Sequence, residues 1–379
     1  MNFRADAEAL ARVRAAFDRN FERGLECGAA ISIWQDGRER FAHFRGIADP
    51  DRKIPWSEET IVLVWSATKG PSCACVLLSL EEAGLGLHDP VARVWPEFAA
   101  AGKDRTTFLD VLSHRAGLAA LADHRPRFLD HDAVAAALAA QAPLWTSGHG
   151  YGPRAFGYLL EEIVRRVSGV TLSEFWKSRF AGPLGLDFHI GLPESEHARA
   201  AKILPPRLSA LAGEKTAFQR AFATPGSLTY SAFSTPGGLA GPSAMNSPQL
   251  RSASLPALGG IGSARALARF YSAIACGEIF SDTLRAAMTV PASNGFDLVL
   301  QLETAFSCGF MLDPLQDGAK VRESFGPSLT AFGHPGAGGS IAFADPENRL
   351  AFAYVMNQME PGALPRERTR NLVRALYGA

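Results

Sequence analysis

The chain has 379 residues, of which 47% are hydrophobic, so it is longer than one typical core and predicts one large domain or two closely packed domains. Lysine plus arginine and aspartate plus glutamate both total 38, and this balance argues against nucleic acid or an anionic membrane as a partner. No stretch reaches the roughly 18 consecutive apolar residues that a membrane span needs. The charged N-terminus lacks the apolar core of a signal peptide, which predicts a cytoplasmic protein.

Cysteine and histidine spacing indicates neither a metal site nor a disulfide framework. The five cysteines are an odd number without zinc-type pairing, and Cys73 and Cys75 lie in an apolar, helix-like run. Buried free thiols are therefore expected. The nine histidines are scattered without the spacing of metal ligands, so neither a metal nor another cofactor is predicted.

The N-terminal part predicts a helix, a hairpin and a second helix. Apolar residues recur at helical spacing over residues 3–23, and Gly24 ends this helix. GAAISIWQDG and RERFAHFRG indicate two strands joined at Asp36-Gly37, a pair suited to a tight hairpin turn. After the strand-like IVLVW, a helix is expected to begin close to Ser66, because Pro71 is tolerated only near a helix start.

From about residue 76 to 205 the pattern predicts helices separated by glycine and proline. The strongest of them covers residues 154–168 with a single apolar stripe, and Gly169 follows as its C-terminal cap. Residues 203–260 lack a period and are rich in Pro, Ser, Gly and Ala. This composition predicts a long ordered loop region, and such loops often carry function.

The C-terminal part returns to strands. SCGFMLD at 307–313, GGSIAFAD at 338–345 and RLAFAYVMN at 349–357 each indicate a strand. A final helix is expected to end in LVRALYG. Strands therefore lie near both ends of the chain, with helices between them.

This distribution predicts a sheet assembled from the two chain ends and a helical domain inserted between them. The expected fold class is an α/β domain plus an all-α domain, with a cleft at their junction. We assign the discontinuous α/β sheet domain to residues 1–75 and 259–379. The mainly helical domain is assigned to 76–258, with its loop region at about 203–258.

The stretch VWSATKG at 64–70 contains the first candidates for chemistry. Ser66 and Lys69 are one helical turn apart at the start of the predicted helix, so the lysine amine can reach the serine hydroxyl. A lysine serves as base for a serine only when burial or neighbouring charge lowers its pKa toward neutrality. A helix-capping serine followed by a surface lysine fits the same pattern, so these residues alone do not decide the function.

Two other stretches offer the remaining parts of an acyl-transfer site, which needs a proton relay and N–H donors for the oxyanion. Tyr151 lies in a glycine-flanked loop before the strong helix, where a phenol can act as general base. A tyrosine that simply packs at the helix entry is the plainer interpretation. FGHPGAGGSIAFAD places a proline followed by three glycines ahead of a strand, which is typical both of a ligand-binding loop and of a hairpin turn.

In order and approximate spacing, these stretches resemble the three motifs of the serine β-lactamase and penicillin-binding protein superfamily. The motifs are Ser66-Ala67-Thr68-Lys69, Tyr151-Gly152-Pro153 and His334-Pro335-Gly336. The resemblance is strongest to the class C-like esterase branch, the family VIII carboxylesterases. It implies a β-lactamase-like fold, in which an antiparallel sheet is flanked by helices and the active site lies in the cleft beside the inserted helical domain. The flanking text is also similar, at TTFLDVLSHRAGL (106–118), GPLGL (182–186) and GHPGAGGSIAFADPENRLAFAYVMNQM (333–359).

The resemblance implies a role for each of these residues. Ser66 attacks the carbonyl, Lys69 assists its deprotonation, and Tyr151 relays protons to the leaving group and later from the hydrolytic water. The backbone N–H groups of Ser66 and Ala337 form the oxyanion hole. The substrate site is lined by residues in or beside the motifs: Trp65, Pro153, His334, Pro335 and Gly336.

Two departures from the β-lactamase pattern bear on the substrate. Pro153 replaces an asparagine, so no side-chain amide is available at that position. His334-Pro335-Gly336 replaces Lys-Thr-Gly, and a histidine that is mostly neutral near pH 7 replaces the permanent charge that attracts the carboxylate of a β-lactam. The resemblance with these changes implies a carboxylesterase for short-chain esters, working through an acyl-serine, with at most weak β-lactam hydrolysis.

Other functions of the same residues stay open at this stage. A β-lactamase, a D-amino-acid peptidase or amidase, and an acyltransferase would each keep Ser66, Lys69 and Tyr151. A non-catalytic acyl-binding sensor would keep them as well and fail to deacylate. In every case the expected partner is a small molecule.

Overall fold

The core of the fold is an antiparallel sheet to which both chain ends contribute. The computed structural model describes residues 3–207 and 215–378. Its strands are β1 (Gly28–Gln35), β2 (Arg38–Asp49), β3 (Ile54–Pro55), β4 (Val62–Leu63), β5 (Phe188–Ile190), β6 (Gly260–Gly262), β7 (Ser293–Asp297), β8 (Leu302–Phe306), β9 (Met311–Leu312), β10 (Leu315–Gln316), β11 (Ala319–Lys320), β12 (Phe332–Pro335), β13 (Ile341–Asp345) and β14 (Leu350–Met356). Among the described residues, nine strands form the main sheet in the order β3-β2-β1-β14-β13-β12-β9-β8-β7.

The first and last long strands are neighbours in this sheet. β1 pairs with β14 in antiparallel register, with Ile31 opposite Tyr354. Every residue of β14 is buried, so helices must cover both faces of the sheet at this position. Burial on both faces explains why this segment is a continuous apolar run rather than an alternating one. The prediction of a sheet built from the two chain ends is confirmed.

The hairpin between β1 and β2 turns at the predicted residues. Gln35 pairs with Arg38, which leaves a two-residue turn. Its residues Asp36 and Gly37 have φ values of 54° and 72°. A two-residue hairpin turn with positive φ at both positions follows the right-handed twist of the strands, and Asp-Gly tolerates this conformation well.

Helices fill the middle of the chain and flank the sheet. The predicted helix at 154–168 is present and ends at Gly169, whose φ of 78° is the left-handed cap expected of glycine. The α-helices are α1 (Ala7–Glu22), α2 (Lys69–Glu82), α3 (Phe108–Leu112), α4 (His131–Ala140), α5 (Ala155–Ser168), α6 (Leu172–Trp176), α7 (Gly182–Leu184), α8 (Ala217–Phe222), α9 (Leu228–Ser234), α10 (Pro248–Ser252), α11 (Ala264–Cys276), α12 (Asp282–Met288) and α13 (Glu367–Tyr377). Short 3₁₀ helices lie at Trp65–Thr68, Val91–Arg93, Pro96–Gly102, Glu194–Arg199, Pro242–Asn246, Ala337–Gly339 and Pro346–Asn348, and a π-helical turn at Lys177–Ala181.

The region predicted as a long loop is more ordered than its composition indicates. It contains α8, α9 and α10, while residues 208–214 lie outside the described residues. These helices have seven residues at most, too few for a hydrophobic period to be visible. They begin at side-chain caps instead, at Thr216, Ser227 and Ser247.

The division into two domains stays a prediction. α2 runs through the proposed boundary at residue 75 without a break. β5, which lies in the middle segment of the chain, pairs with β6, and β6 pairs with β4 in a small three-stranded sheet. The middle segment is therefore connected to the sheet part by backbone hydrogen bonds as well as by packing.

Two further expectations concern membranes and thiols. No helix in the described ranges is both long enough and apolar enough to cross a membrane. All five cysteines are free thiols, as predicted. Cys73, Cys75 and Cys308 are buried, while Cys27 and Cys276 are only partly covered.

Candidate active site

Ser66 lies in a 3₁₀ turn between β4 and α2 that β6 holds on both sides. The Val64 N–H donates to the Gly260 carbonyl at 2.9 Å, and the Gly260 N–H donates to Thr68 Oγ1 at 2.8 Å. Trp65, directly before the serine, has a φ of 50°, a strained conformation for a bulky side chain and one that is often found at functional sites. The turn leaves Ser66 half-buried at the start of the helix.

Lys69 is fully buried beside Ser66. Its Nζ lies 3.3 Å from Ser66 Oγ, and it donates to the carbonyl oxygens of Pro153 at 3.2 Å and Ala257 at 2.8 Å. A neutral amine has two hydrogens and one lone pair, so two carbonyl acceptors leave the lone pair free for the serine hydroxyl. The prediction that the lysine amine reaches the hydroxyl is confirmed.

Burial supplies the pKa shift that a lysine base requires. It lowers the pKa of Lys69 from 10.5 to about 7, against an opposing contribution from Cys73. A substantial fraction of the amine is therefore unprotonated near neutral pH. In that form it can accept the proton of Ser66.

Tyr151 contacts the same pair of residues. The centroid of its ring lies 4.7 Å from Lys69 Nζ. Burial raises the pKa of its phenol, and a hydrogen bond with the Ser66 side chain opposes the shift only in part. The phenol therefore keeps its proton near neutral pH and can donate it, which suits a proton relay better than a general base.

Two residues outside the motifs support Tyr151. The carboxylate of Asp297, which has no exposed surface, accepts hydrogen bonds from the Tyr151 N–H at 3.1 and 3.2 Å. His114 Nδ1 accepts from the Gly152 N–H at 3.3 Å, and its ring packs against the tyrosine. Sequence reasoning missed Asp297, since it is 146 residues from Tyr151 and no local pattern marks it. His114 thus supports the loop that carries Tyr151.

β12 brings the third motif against the turn that carries Ser66. A Cβ atom on Gly336 would lie 2.1 Å from the Val64 carbonyl oxygen, so only glycine fits at this position. Ala337, the next residue, is half-buried. Among the described residues, neither its N–H nor that of Ser66 donates to another backbone group. Both donors are thus available to a ligand, as an oxyanion hole requires.

His334 packs beside Tyr151, and the centroids of the two rings are 5.9 Å apart. Its imidazole is neutral near pH 7. Burial and the nearby Lys69 lower its pKa to about 3. Its Nδ1–H donates to the Pro335 carbonyl at 2.7 Å, which leaves Nε2 as an acceptor without a partner in the described ranges. His334 therefore provides no charge for a substrate carboxylate, in agreement with the sequence prediction.

The structure brings together Ser66, Lys69, Tyr151, His334 and Ala337. The other predicted substrate residues lie next to them in the chain: Trp65, Pro153, Pro335 and Gly336. Pro153 acts here through its carbonyl, which holds Lys69. Contact of these four residues with substrate stays a prediction.

Comparison with known proteins agrees with this arrangement. The β-lactamase family model matches residues 17–377. The chain belongs to the β-lactamase family. It is 33% identical over 344 residues to the esterase/β-lactamase LipL of Mycobacterium tuberculosis, a match that covers 88% of this chain and 77% of LipL.

Two solved structures of this family are similar over the full length of the chain. A penicillin-binding protein homolog from Caulobacter crescentus has a TM-score of 0.84 and 35% identity, and a family VIII carboxylesterase has a TM-score of 0.83 and 32% identity. Both matches cover 100% of this chain and 99% of the other. They confirm the predicted fold class and the resemblance to the esterase branch of the β-lactamase family.

In this β-lactamase-family protein, Gly157 of α5 packs against Ala257, whose carbonyl accepts a hydrogen bond from Lys69. A Cβ on Gly157 would lie 2.7 Å from the Ala257 nitrogen and 2.9 Å from its Cβ. We expect Gly157→Ala to displace Ala257, weaken the hydrogen bond to Lys69 and lower kcat about 10-fold, which is less than the roughly 10²-fold or more that complete loss of a general base costs. Initial rates and thermal unfolding check this, with Gly86→Ala as the control because a Cβ there meets only an atom at 3.8 Å. Equal kcat for the two variants would contradict the prediction.

Proposed function

We propose that this protein is a serine carboxylesterase that cleaves short-chain esters through an acyl-Ser66 intermediate. The observation that carries the proposal is the buried Lys69 amine, with a pKa of about 7, placed 3.3 Å from Ser66 Oγ. An amine with these properties can activate a serine hydroxyl near neutral pH. LipL and the family VIII carboxylesterase, both more than 30% identical to this chain, support an ester as the substrate.

In the proposed acylation step, Lys69 takes the Ser66 proton as Oγ attacks the ester carbonyl. The N–H groups of Ser66 and Ala337 hold the oxyanion of the tetrahedral intermediate. Its collapse breaks the bond to the alcohol oxygen, which takes a proton from Tyr151, and the Lys69 ammonium restores that proton. In deacylation, water loses a proton to the same relay, adds to the acyl carbonyl and displaces Ser66 Oγ, which is then reprotonated.

The residues of the second and third motifs favour an uncharged substrate. His334 is neutral and Pro153 lacks a side-chain amide, so neither group attracts or orients the carboxylate of a β-lactam. A simple ester needs no such partner. Esters also have better leaving groups than amides, which lowers the demand on the Tyr151 relay.

A cavity connected with Lys69 through Ala257 is a candidate for the acyl or alcohol part of the ester, although Ser66, Lys69 and Tyr151 do not line it. Its volume is about 280 Å³, and Ala257, whose carbonyl accepts from Lys69, forms part of its wall. The cavity lies between the start of α5 and residues 253–258 of the region predicted as a functional loop. Its other lining groups are largely apolar, including Phe128, Tyr158, Leu255 and Pro256, and the polar lining residues are His131, Arg154, Gln249 and Ser254.

Initial rates with p-nitrophenyl acetate, butyrate and octanoate and with a chromogenic cephalosporin test the function. We expect kcat/KM for butyrate to exceed that for the cephalosporin by about 100-fold or more, roughly the discrimination that one missing charged contact supplies. The reverse order would make the protein a β-lactamase. A stable acyl adduct detected by mass, without turnover, would indicate a sensor, and transfer of the acyl group to an added alcohol in preference to water would indicate an acyltransferase.

A further inference from the structure

The glycine turn that carries Ala337 is held from behind by the C-terminal helix. Arg368 in the first turn of α13 is 2% exposed, and its Nη2 donates to the Gly338 carbonyl at 2.6 Å. The Glu360 N–H donates to the same carbonyl at 3.0 Å. A Cβ on Gly339 would lie 2.7 Å from Arg368 Nη2, so the guanidinium packs directly against the turn.

The planar peptide bond connects this contact to the oxyanion hole. In a trans peptide unit the C=O and N–H groups point in opposite directions. The Gly338 carbonyl therefore shares a unit with the Gly339 N–H, which donates to the Gly336 carbonyl at 3.2 Å. The Gly336 carbonyl in turn shares a unit with the Ala337 N–H. Two peptide units thus join the guanidinium to the donor in a continuous chain of hydrogen bonds.

The other two nitrogen atoms of the Arg368 guanidinium, Nη1 and Nε, lie close to protein acceptors. Its Nη1 donates to the carbonyls of Leu25 at 3.0 Å and Gln358 at 2.9 Å and pairs with Glu26 at 3.1 Å. Its Nε lies 3.5 Å from a Glu360 carboxylate oxygen. These contacts fix the guanidinium, and burial keeps it out of reach of a substrate. Arg368 can therefore act on the reaction only through the turn.

We propose that Arg368 is a positioning residue that aims and polarises the Ala337 N–H toward the oxyanion. Hydrogen bonds in a chain strengthen one another, and a charged donor at one end makes the N–H at the other end a stronger donor. The inference rests on the proposed function. It adds a residue from the far end of the chain, which touches no reacting atom, to the machinery that stabilises the transition state.

Thr369 provides a matched control on the same helix. Its Oγ1 is buried and donates to the Gly339 carbonyl at 2.8 Å. That carbonyl belongs to the peptide unit with Ser340, which is not part of the chain leading to Ala337. Thr369→Val therefore removes a buried hydrogen bond from the same turn and leaves the chain of hydrogen bonds from Arg368 to Ala337 in place.

Four variants separate positioning from structural support: Arg368→Lys, Arg368→Met with Glu26→Gln, Glu26→Gln alone and Thr369→Val. The double variant avoids an unpaired buried carboxylate at Glu26, which could prevent folding of Arg368→Met. Each is compared with the wild type for kcat and KM with p-nitrophenyl butyrate, affinity for a boronic acid that adds to Ser66 as a tetrahedral adduct, and thermal unfolding.

We expect the double variant to lose about 30-fold in kcat and a similar factor in boronate affinity, with KM within about 2-fold, since a weakened oxyanion donor costs less than a deleted one. Arg368→Lys should lie between it and the wild type. Thr369→Val and Glu26→Gln should stay within about 3-fold of the wild type in kcat and boronate affinity. Equal losses for the double variant and Thr369→Val, or unchanged boronate affinity, would contradict the proposed role of Arg368. A wild type without ester turnover would instead count against the proposed function.

Discussion

Replacing Ser66 by alanine is expected to lower kcat/KM for p-nitrophenyl butyrate by about 10⁴-fold or more. The Cys73 thiol also lies near Lys69, but it is fully buried and burial raises its pKa, so it cannot replace the serine as nucleophile. The alanine variant should keep its thermal stability, since Ser66 is half-buried and its hydroxyl makes no hydrogen bond to the backbone within the described ranges. Steady-state rates and the mass of the protein after reaction with a short phosphonate ester provide the two measurements.

Ser79→Ala is the matched control for this substitution. Ser79 lies on α2, which directly follows the turn of Ser66; it is buried and donates to the Val76 carbonyl at 2.8 Å, away from the site. It should keep wild-type rates and form the phosphonate adduct. If Ser66→Ala retained a tenth of the wild-type activity or still gained the adduct, another residue would be the nucleophile.

The second large effect concerns Lys69 and pH. We expect kcat/KM of the wild type to rise with pH through about 7 and then level off, because only the unprotonated amine accepts the Ser66 proton and burial sets its pKa at about 7. Lys69→Met should lower kcat/KM by about 10³-fold, within the usual range for loss of a general base. Its residual rate should lack the rise near pH 7. A wild-type profile that is flat from pH 6 to about 8.5 would argue against this assignment.

The same pKa shift makes a prediction about stability. The amine binds its proton with a pKa of 10.5 when unfolded and about 7 when buried, so between these values the unfolded state binds more protons. The free energy of unfolding should therefore rise with pH in this window, by up to about 1.4 kcal/mol per pH unit from this group. Below pH 7 the amine is protonated in both states and the full cost of its burial is present.

Comparison with Lys69→Met isolates this contribution, because other titrating groups cancel in the difference. Urea unfolding at several values between pH 7 and about 9.5 should show the wild type gaining stability relative to the variant as pH rises. A difference that stays constant across this range would mean that the buried amine keeps an ordinary pKa.

Several parts of the fold follow from neighbouring residues and were predictable. The hairpin at Asp36-Gly37 depends on two residues that tolerate positive φ, and the end of α5 depends on one glycine at 169. Ser66 and Lys69 meet because one helical turn separates them. Each of these features depends on contacts within a few positions, so the local sequence contains the information.

The chemical character of the site depends on contacts between distant segments. Burial lowers the pKa of Lys69, and the carbonyls of Pro153 and Ala257 that accept from its amine come from 84 and 188 residues away. Tyr151 is held by Asp297, and the turn at Ala337 is held by Arg368, which no local pattern connects with the motifs. The residue types and their order were thus readable along the chain. Burial, and with it the pKa values and the direction of the N–H donors, arises only when distant segments pack together and exclude water.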